Sequence, residues 1–150
     1  MNIYETIDLL KVELTEGNNV STDLLYKVKI ETNPYSDLSK KVPFVLIEAD
    51  RTEFTNAEGY GHVVNQDHLL DLTCVVEAQN REFTKYKPDV NQLVKKTINK
   101  LMTIEHDDIQ KIIPMELSHS ELTIGALKTS AIIITVKVRT YWEDLLGINK

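Results

Sequence analysis

The chain has 150 residues, of which 42% are hydrophobic and 27% charged, and its formal net charge is −6. This length and composition predict one soluble globular domain spanning residues 1–150, rather than a disordered or fibrous chain. The longest apolar run is far shorter than the ~20 residues of a membrane span, and the acidic balance argues against general nucleic-acid binding.

The first 50 residues predict one helix and two strands. Residues 2–16 place apolar side chains at helical spacing and therefore predict an amphipathic helix. Residues 24–31 alternate between apolar and polar side chains, which favours a strand, although residues 21–23 would also cap a helix there. Pro43 introduces a run, ending at Ile47, that is apolar on both faces and indicates an interior strand.

The middle of the chain predicts a long polar loop followed by a strand. Residues 51–67 are polar and contain two glycines, and a loop of this length is uncommon unless it is functional or forms a hairpin of its own. Residues 68–78 then alternate regularly, with Leu70, Leu72 and Cys74 on one face. The single cysteine is predicted to be a buried apolar residue, and a lone cysteine favours synthesis in a reducing, intracellular compartment.

The last third predicts a helix and two strands. Pro88 is placed to open a helix that runs to Ile104. Residues 109–117 predict a strand that Pro114 confines to a sheet edge, and a polar hairpin follows around Ser118 to Thr129. From Ile132 onward the residues alternate again, which predicts a long strand with one buried face that ends at Tyr141 and Trp142. Those two aromatic residues would either cap the core or anchor an interface.

The order helix, strand, strand, strand, helix, strand, strand predicts an α+β fold. We expect a mainly antiparallel sheet of about four to five strands with two helices packed on one face. The predicted core comprises the apolar positions that share the inward stripes, namely Leu10, Leu46, Leu72, Cys74, Val94, Leu101, Ile134 and Val136.

No group of polar residues in the sequence has the spacing that a catalytic or metal-binding site requires. The four histidines form no pair at metal-ligand spacing, and the acidic residues 105–108 are typical of a solvated turn. Asp67, His68 and Asp71 diverge on a strand, and so do the nucleophile and base types in residues 118–121. We therefore expect no enzyme activity, no catalytic residue, no metal and no cofactor.

The whole pattern resembles the tail terminator and tail-completion proteins of long-tailed phages. The resemblance is carried by the N-terminal helix, the Pro43–Glu48 strand, the alternating strand Leu69–Ala78, the helix Pro88–Ile104 and the final strand ending in Tyr141 and Trp142. It covers almost the entire chain as a pattern, without a diagnostic motif.

The resemblance implies a virion protein of the tail or neck, made in the host cytoplasm, that forms a ring, typically hexameric, on the tail tube and faces the head-side connector. DNA would pass through its lumen without specific binding, and no membrane would be involved. The residues expected at interfaces lie in the two polar segments and at the chain's aromatic end: Arg51, Glu53, Tyr60, His62, His119, Glu121, Lys128, Tyr141 and Trp142. Three alternatives stay open: a neck protein joining head and tail, a cellular adaptor or binding domain, and a small enzyme with a scattered site.

Overall fold

A computed structural model describes residues 1–16, 28–34, 37–38, 43–56, 63–76, 83–124 and 127–142. In chain order the elements are α1 (Ile3–Glu16), β1 (Lys29–Glu31), β2 (Phe44–Asn56), β3 (Val63–Val75), α2 (Phe83–Leu101), β4 (Ile109–Ile124) and β5 (Leu127–Tyr141). The sheet has the strand order β1-β2-β3-β5-β4. All neighbouring pairs are antiparallel except β1 with β2, which is parallel. The predicted α+β class and element order are confirmed.

Helix α1 begins where its sequence provides a cap. The Oδ1 atom of Asn2 accepts a hydrogen bond of 2.8 Å from the backbone N–H of Glu5, and the Asn2 N–H points back to the Glu5 carboxylate at 3.4 Å. This reciprocal arrangement satisfies backbone donors at the first turn. Ile7, Leu10 and Leu14 are buried along the predicted stripe.

The predicted helix at Pro88–Ile104 is correct in type but not in its limits. Helix α2 begins at Phe83 and ends at Leu101, so Pro88 lies inside the helix rather than at its first position. Val90, Val94 and Leu101 are buried as predicted. Neither described helix combines the length and the hydrophobicity that crossing a membrane requires.

Residues 51–67 are not an open loop; their described part follows the alternative that the sequence left open, a hairpin of its own. Strand β2 continues to Asn56 and β3 already starts at Val63, so the segment forms two paired strands joined by residues 57–62, which lie outside the described part. Polar residues mislead here because two of them, Gln66 and Asp67, are buried with hydrogen-bonding partners. The strand predicted at 68–78 therefore begins earlier and ends at Val75.

The other strand predictions differ mainly in length. Of the strand predicted at residues 24–31, the structure shows Lys29–Glu31, and residues 24–27 lie outside the described ranges. Strand β4 occupies a sheet edge, as Pro114 predicted, but extends past Leu117 to Ile124. It pairs with β5 as the predicted hairpin, up to the pair Ile124 and Leu127.

The main core lies between the helices and one face of the sheet. Every residue of the predicted core is buried, including Cys74, whose burial raises the pKa of its thiol to about 12. A smaller cluster of Phe44, Leu46, Val75 and Ala131 is buried on the opposite face, called the open face below, where Leu38 and Leu122 pack against it. Leu46 belongs to this second cluster.

Candidate interaction surface

The predicted interface residues that the structure describes lie at two opposite ends of the sheet. At one end, called the rim, β2 ends, β3 begins, β4 begins and β5 ends; Arg51, Glu53, Tyr141 and Trp142 lie there. Beyond the last β3–β5 pair, Cys74 and Ile132, strands β4 and β5 continue as a two-stranded arm formed by Ser120–Ile124 and Leu127–Ala131.

The remaining predicted interface residues divide between the arm and the undescribed part. Glu121 and Lys128 belong to the arm, and His119 directly precedes it. A cavity of about 450 Å³ between α2 and the arm has His119, Glu121 and Asn91 in its lining. Tyr60 and His62 lie outside the described residues. The fold therefore does not gather the predicted residues into one site.

Four charged side chains form a row across the open face at the rim. The strand register places Glu53 opposite Asp67, Asp67 opposite Arg139, and Arg139 opposite Lys111. Directly paired residues point to the same face, and the neighbouring Val138 faces the helices. The row thus runs from two carboxylates on β2 and β3 to two cations on β5 and β4.

The centre of this row is an ion pair whose carboxylate is buried. The Nε and Nη2 atoms of Arg139 donate hydrogen bonds of 2.7 and 3.0 Å to the two carboxylate oxygens of Asp67. Asp67 is only 4% exposed, and the bidentate contact with Arg139 lowers the pKa of its carboxyl group. This pair joins the two central strands on the open face.

The outer positions of the row carry charges that differ between the two edges. On β2, the Arg51 guanidinium donates to both Asp50, at 2.7 Å, and Glu53, at 3.1 Å, so one cation lies between two carboxylates. On β4, Lys111 is exposed and forms no ion pair among the described residues. The outer position of the row is therefore a carboxylate, Glu53, on β2 and a cation, Lys111, on β4.

An aromatic pair lies at the rim on the helix side. The rings of Phe54 and Trp142 meet edge to face, with centroids 5.3 Å apart. Phe54 and Tyr141 are each 56% exposed, and Trp142 is partly buried. Trp142, which follows β5, thus packs on the exposed ring of Phe54 on β2, across the intervening strand β3, rather than in the core. Phe54 is absent from the predicted interface, although Arg51 and Glu53 of the same segment belong to it.

A buried histidine ties the start of the chain to the sheet. The His68 ring is within 2.8 Å of the Thr52 hydroxyl through Nδ1 and within 3.0 Å of the Met1 carbonyl oxygen through Nε2. Gln66 donates a 2.7 Å bond to the same carbonyl, and Thr140 lies within 3.4 Å. These side chains come from β2, β3 and β5, so the network fixes the N-terminus of α1 against three strands.

We expect the stability of the protein to fall as the pH drops below about 6.5, the ordinary histidine pKa. Burial lowers the pKa of His68 despite the opposing hydrogen bond to Met1, so the unfolded state binds the proton more tightly than the folded state. The stability that neutral His68 contributes is fully present above the histidine pKa of the unfolded state. Below that pKa it is lost at up to about 1.4 kcal/mol per pH unit. Urea unfolding at pH 7, 6 and 5 measures the effect.

The control for this prediction is His68→Gln, which removes the titrating group. The comparison uses the change with pH, because the substitution also alters the hydrogen bonds and so the absolute stability. If wild type and variant lost the same stability between pH 7 and pH 5, His68 would not be responsible.

Acidic clusters in the described residues are structural in character. At the turn after α2, the backbone N–H of Asp108 donates to Nδ1 of His106 at 3.1 Å, the local bonding expected of a turn. Asp67 and Asp71 face the open side, where Asp71 accepts a 3.2 Å bond from Thr135, while His68 faces the helices. Within the described ranges no three His, Cys, Asp or Glu side chains are grouped to hold a metal ion.

Comparisons with known proteins give a structural neighbour and no sequence relative. No protein-family model and no curated protein sequence matches the chain. The fold is similar to a chain in the solved structure described as "Virion of native gene transfer agent (GTA) particle", with a TM-score of 0.53 and 8% identity. The match covers 89% of this chain and 95% of that chain. At this identity the likeness supports the fold.

Proposed function

We propose that this protein is a structural component of a phage-like virion, which forms a ring at the head-proximal end of the tail as a tail terminator or tail-completion protein. The observation that carries the proposal is the fold likeness to a chain of a gene transfer agent virion, because it covers nearly all of both chains. The resemblance of the sequence pattern to tail terminators points independently in the same direction.

The described surface supports an assembly role in two further ways. The rim exposes aromatic and charged side chains, and large aromatic residues are enriched in the anchors of protein interfaces. The arm extends two strands past the rest of the sheet and exposes polar residues such as Ser120 and Glu121. Rim and arm would contact neighbouring copies, the tail tube and the head-side connector.

The charge of the chain fits the passage of DNA through such a ring. A net charge of −6 disfavours retention of a polyanion, so DNA would slide past without specific binding. The ring itself would be a heterologous interface that closes by rotation, with each copy using one surface to receive the next.

Inactivation of the gene in cells that produce the particle tests this proposal. Electron microscopy of the lysate should show tails of abnormal, extended length if the protein terminates tube growth. Tails of normal length that fail to join heads would instead indicate a neck role. Resupply of the wild-type gene is the control, and normal infectious particles without the protein would contradict both forms.

A further inference from the structure

The sheet has two edges at the rim that no described strand covers. Strand β1 pairs with the outer side of β2 only from Phe44 to Leu46, so β2 has no described partner there from Ile47 to Asn56. Strand β4 lies at the opposite edge along its whole length. An uncovered edge presents backbone N–H and C=O groups that another chain's strand can pair with.

Each of the two edge strands, β2 and β4, has a shift in its pairing register, and the two shifts begin in the same row of paired residues. The register shifts between Ala49 and Arg51 on β2 and between Pro114 and Glu116 on β4, and Ala49 and Pro114 lie in one row through Leu70 and Val136. On the side of this row away from the rim, Glu48 and Glu116 share a row, and like charges brought opposite each other destabilise a strand pair. Regular pairing between the edges of two copies is thus favoured only on the rim side of the register shifts, in Arg51–Thr55 of β2 and Lys111–Ile113 of β4.

The charges identify the occupant of each edge. The rim segment of β2 carries Asp50 and Glu53 against one cation, Arg51, whereas the rim segment of β4 carries Lys111 without an ion-pair partner in the described chain. Pairing of two β2 edges would place carboxylates together, and pairing of two β4 edges would place lysines together. A β4 edge meeting a β2 edge brings opposite charges together.

We propose that copies of this chain join edge to edge through their rims, with Lys111–Ile113 of one copy pairing with Arg51–Glu53 of the next and Lys111 lying opposite Glu53. Strands β2 and β4 run in opposite directions in the sheet, so this pairing is antiparallel when both copies have the same orientation. Each copy offers one edge and receives the other, the arrangement that closes into a ring. The inference rests on the proposed ring and specifies its interface.

Disulfide trapping of the double variant Glu53→Cys, Lys111→Cys tests this contact. Opposite residues of antiparallel strands have Cα atoms about 4.5–5.5 Å apart, within the range that a disulfide bridges. The native Cys74 is buried and does not compete. Under mild oxidation the double variant should give a ladder of linked species beyond the dimer on a non-reducing gel, whereas each single variant stops at the dimer.

A matched control pairs Glu53→Cys with Lys95→Cys, because Lys95 is equally an exposed lysine but lies on α2. Native mass spectrometry of the wild type, run alongside, reports rings independently of the cysteines. A ladder from the rim pair alone supports the inference. If rings form but no ladder appears, or if both cysteine pairs give a ladder, the rim interface is wrong and the proposed function still stands. If the protein forms no rings and gives no ladder, both the inference and the self-assembly on which it rests are wrong.

Charge reversal gives a second readout that needs no cysteine. Lys111→Glu should reduce the ring population by about tenfold, because it brings like charges together at each contact. Adding Glu53→Lys should restore it. If the double reversal assembled no better than Lys111→Glu alone, the two side chains would not face each other.

Discussion

Replacing Leu72 with alanine is expected to lower the free energy of unfolding by about 2–5 kcal/mol. Leu72 has no exposed surface and lies on the helix side of the sheet between Ile47 and Ile134. Its truncation removes apolar contacts with both neighbouring strands and leaves a cavity beneath the helices, which the packed sheet closes only in part. Ile134→Ala at the adjacent position should have a similar effect. Urea unfolding followed by circular dichroism measures both.

Leu117→Ala is the matched control for this prediction. Leu117 is directly opposite Ile134 in the same row but is 47% exposed on the edge strand, so its truncation should cost less than about 1 kcal/mol. If Leu72→Ala and Leu117→Ala lost equal stability, the burial of the central row would be wrong.

The elements that sequence predicts well are those whose burial follows a simple period. Helix α1 has its stripe of Ile7, Leu10 and Leu14 together with a local cap at Asn2, so both its face and its start are encoded in adjacent residues. The helix-facing side of β5 alternates from Ile132 to Val138 in the same direct way. In each case the local pattern and the tertiary burial agree.

The rim could not be predicted in this way because its burial depends on distant partners. The local sequence predicts that Asp67 lies in a loop. The residue is nevertheless buried, because Arg139, 72 positions away in the chain, donates hydrogen bonds to its carboxylate. His68 likewise depends on Met1 and Thr140, which lie far from it in the sequence. A polar residue can be buried in a strand here because distant parts of the fold provide its hydrogen-bonding partners.

The candidate surface was predicted in part for a related reason. Composition identified Tyr141 and Trp142 as aromatic residues at the end of a strand, and the structure places both at the rim. Phe54 and Lys111 were missed, since their relevance comes from which strands lie beside them. The alternation of Thr52 and Phe54 with Arg51 and Glu53 is the one local feature that would have indicated a strand there.

Replacing Arg139 with methionine is expected to lower the free energy of unfolding by about 1–3 kcal/mol. The change keeps much of the apolar stem but leaves the Asp67 carboxylate, 4% exposed, without the guanidinium that binds both of its oxygens. The Arg139 side chain is itself 25% exposed, so water reaches part of the site. For this reason we expect less than the ~3–5 kcal/mol of a fully buried pair. Arg51→Met is the matched control, because Arg51 is likewise an ion-paired arginine but is 58% exposed, and its loss should stay within about 1 kcal/mol.

The pH dependence separates this ion pair from the His68 network. Arg139 lowers the pKa of Asp67 below its ordinary value of 3.8, so the stability it contributes is complete above that value and is lost as the pH falls through the folded-state pKa. Arg139→Met should therefore lose less stability than the wild type between pH 5 and pH 2, while its loss between pH 7 and pH 5 stays unchanged. Adding Asp67→Asn should recover part of the neutral-pH loss, because the unpaired charge is then gone. If the stability lost by the double variant equalled the sum of the losses of the two single variants, Asp67 and Arg139 would not act as a pair. The backbone hydrogen bonds between β3 and β5 would then join these strands without help from the ion pair.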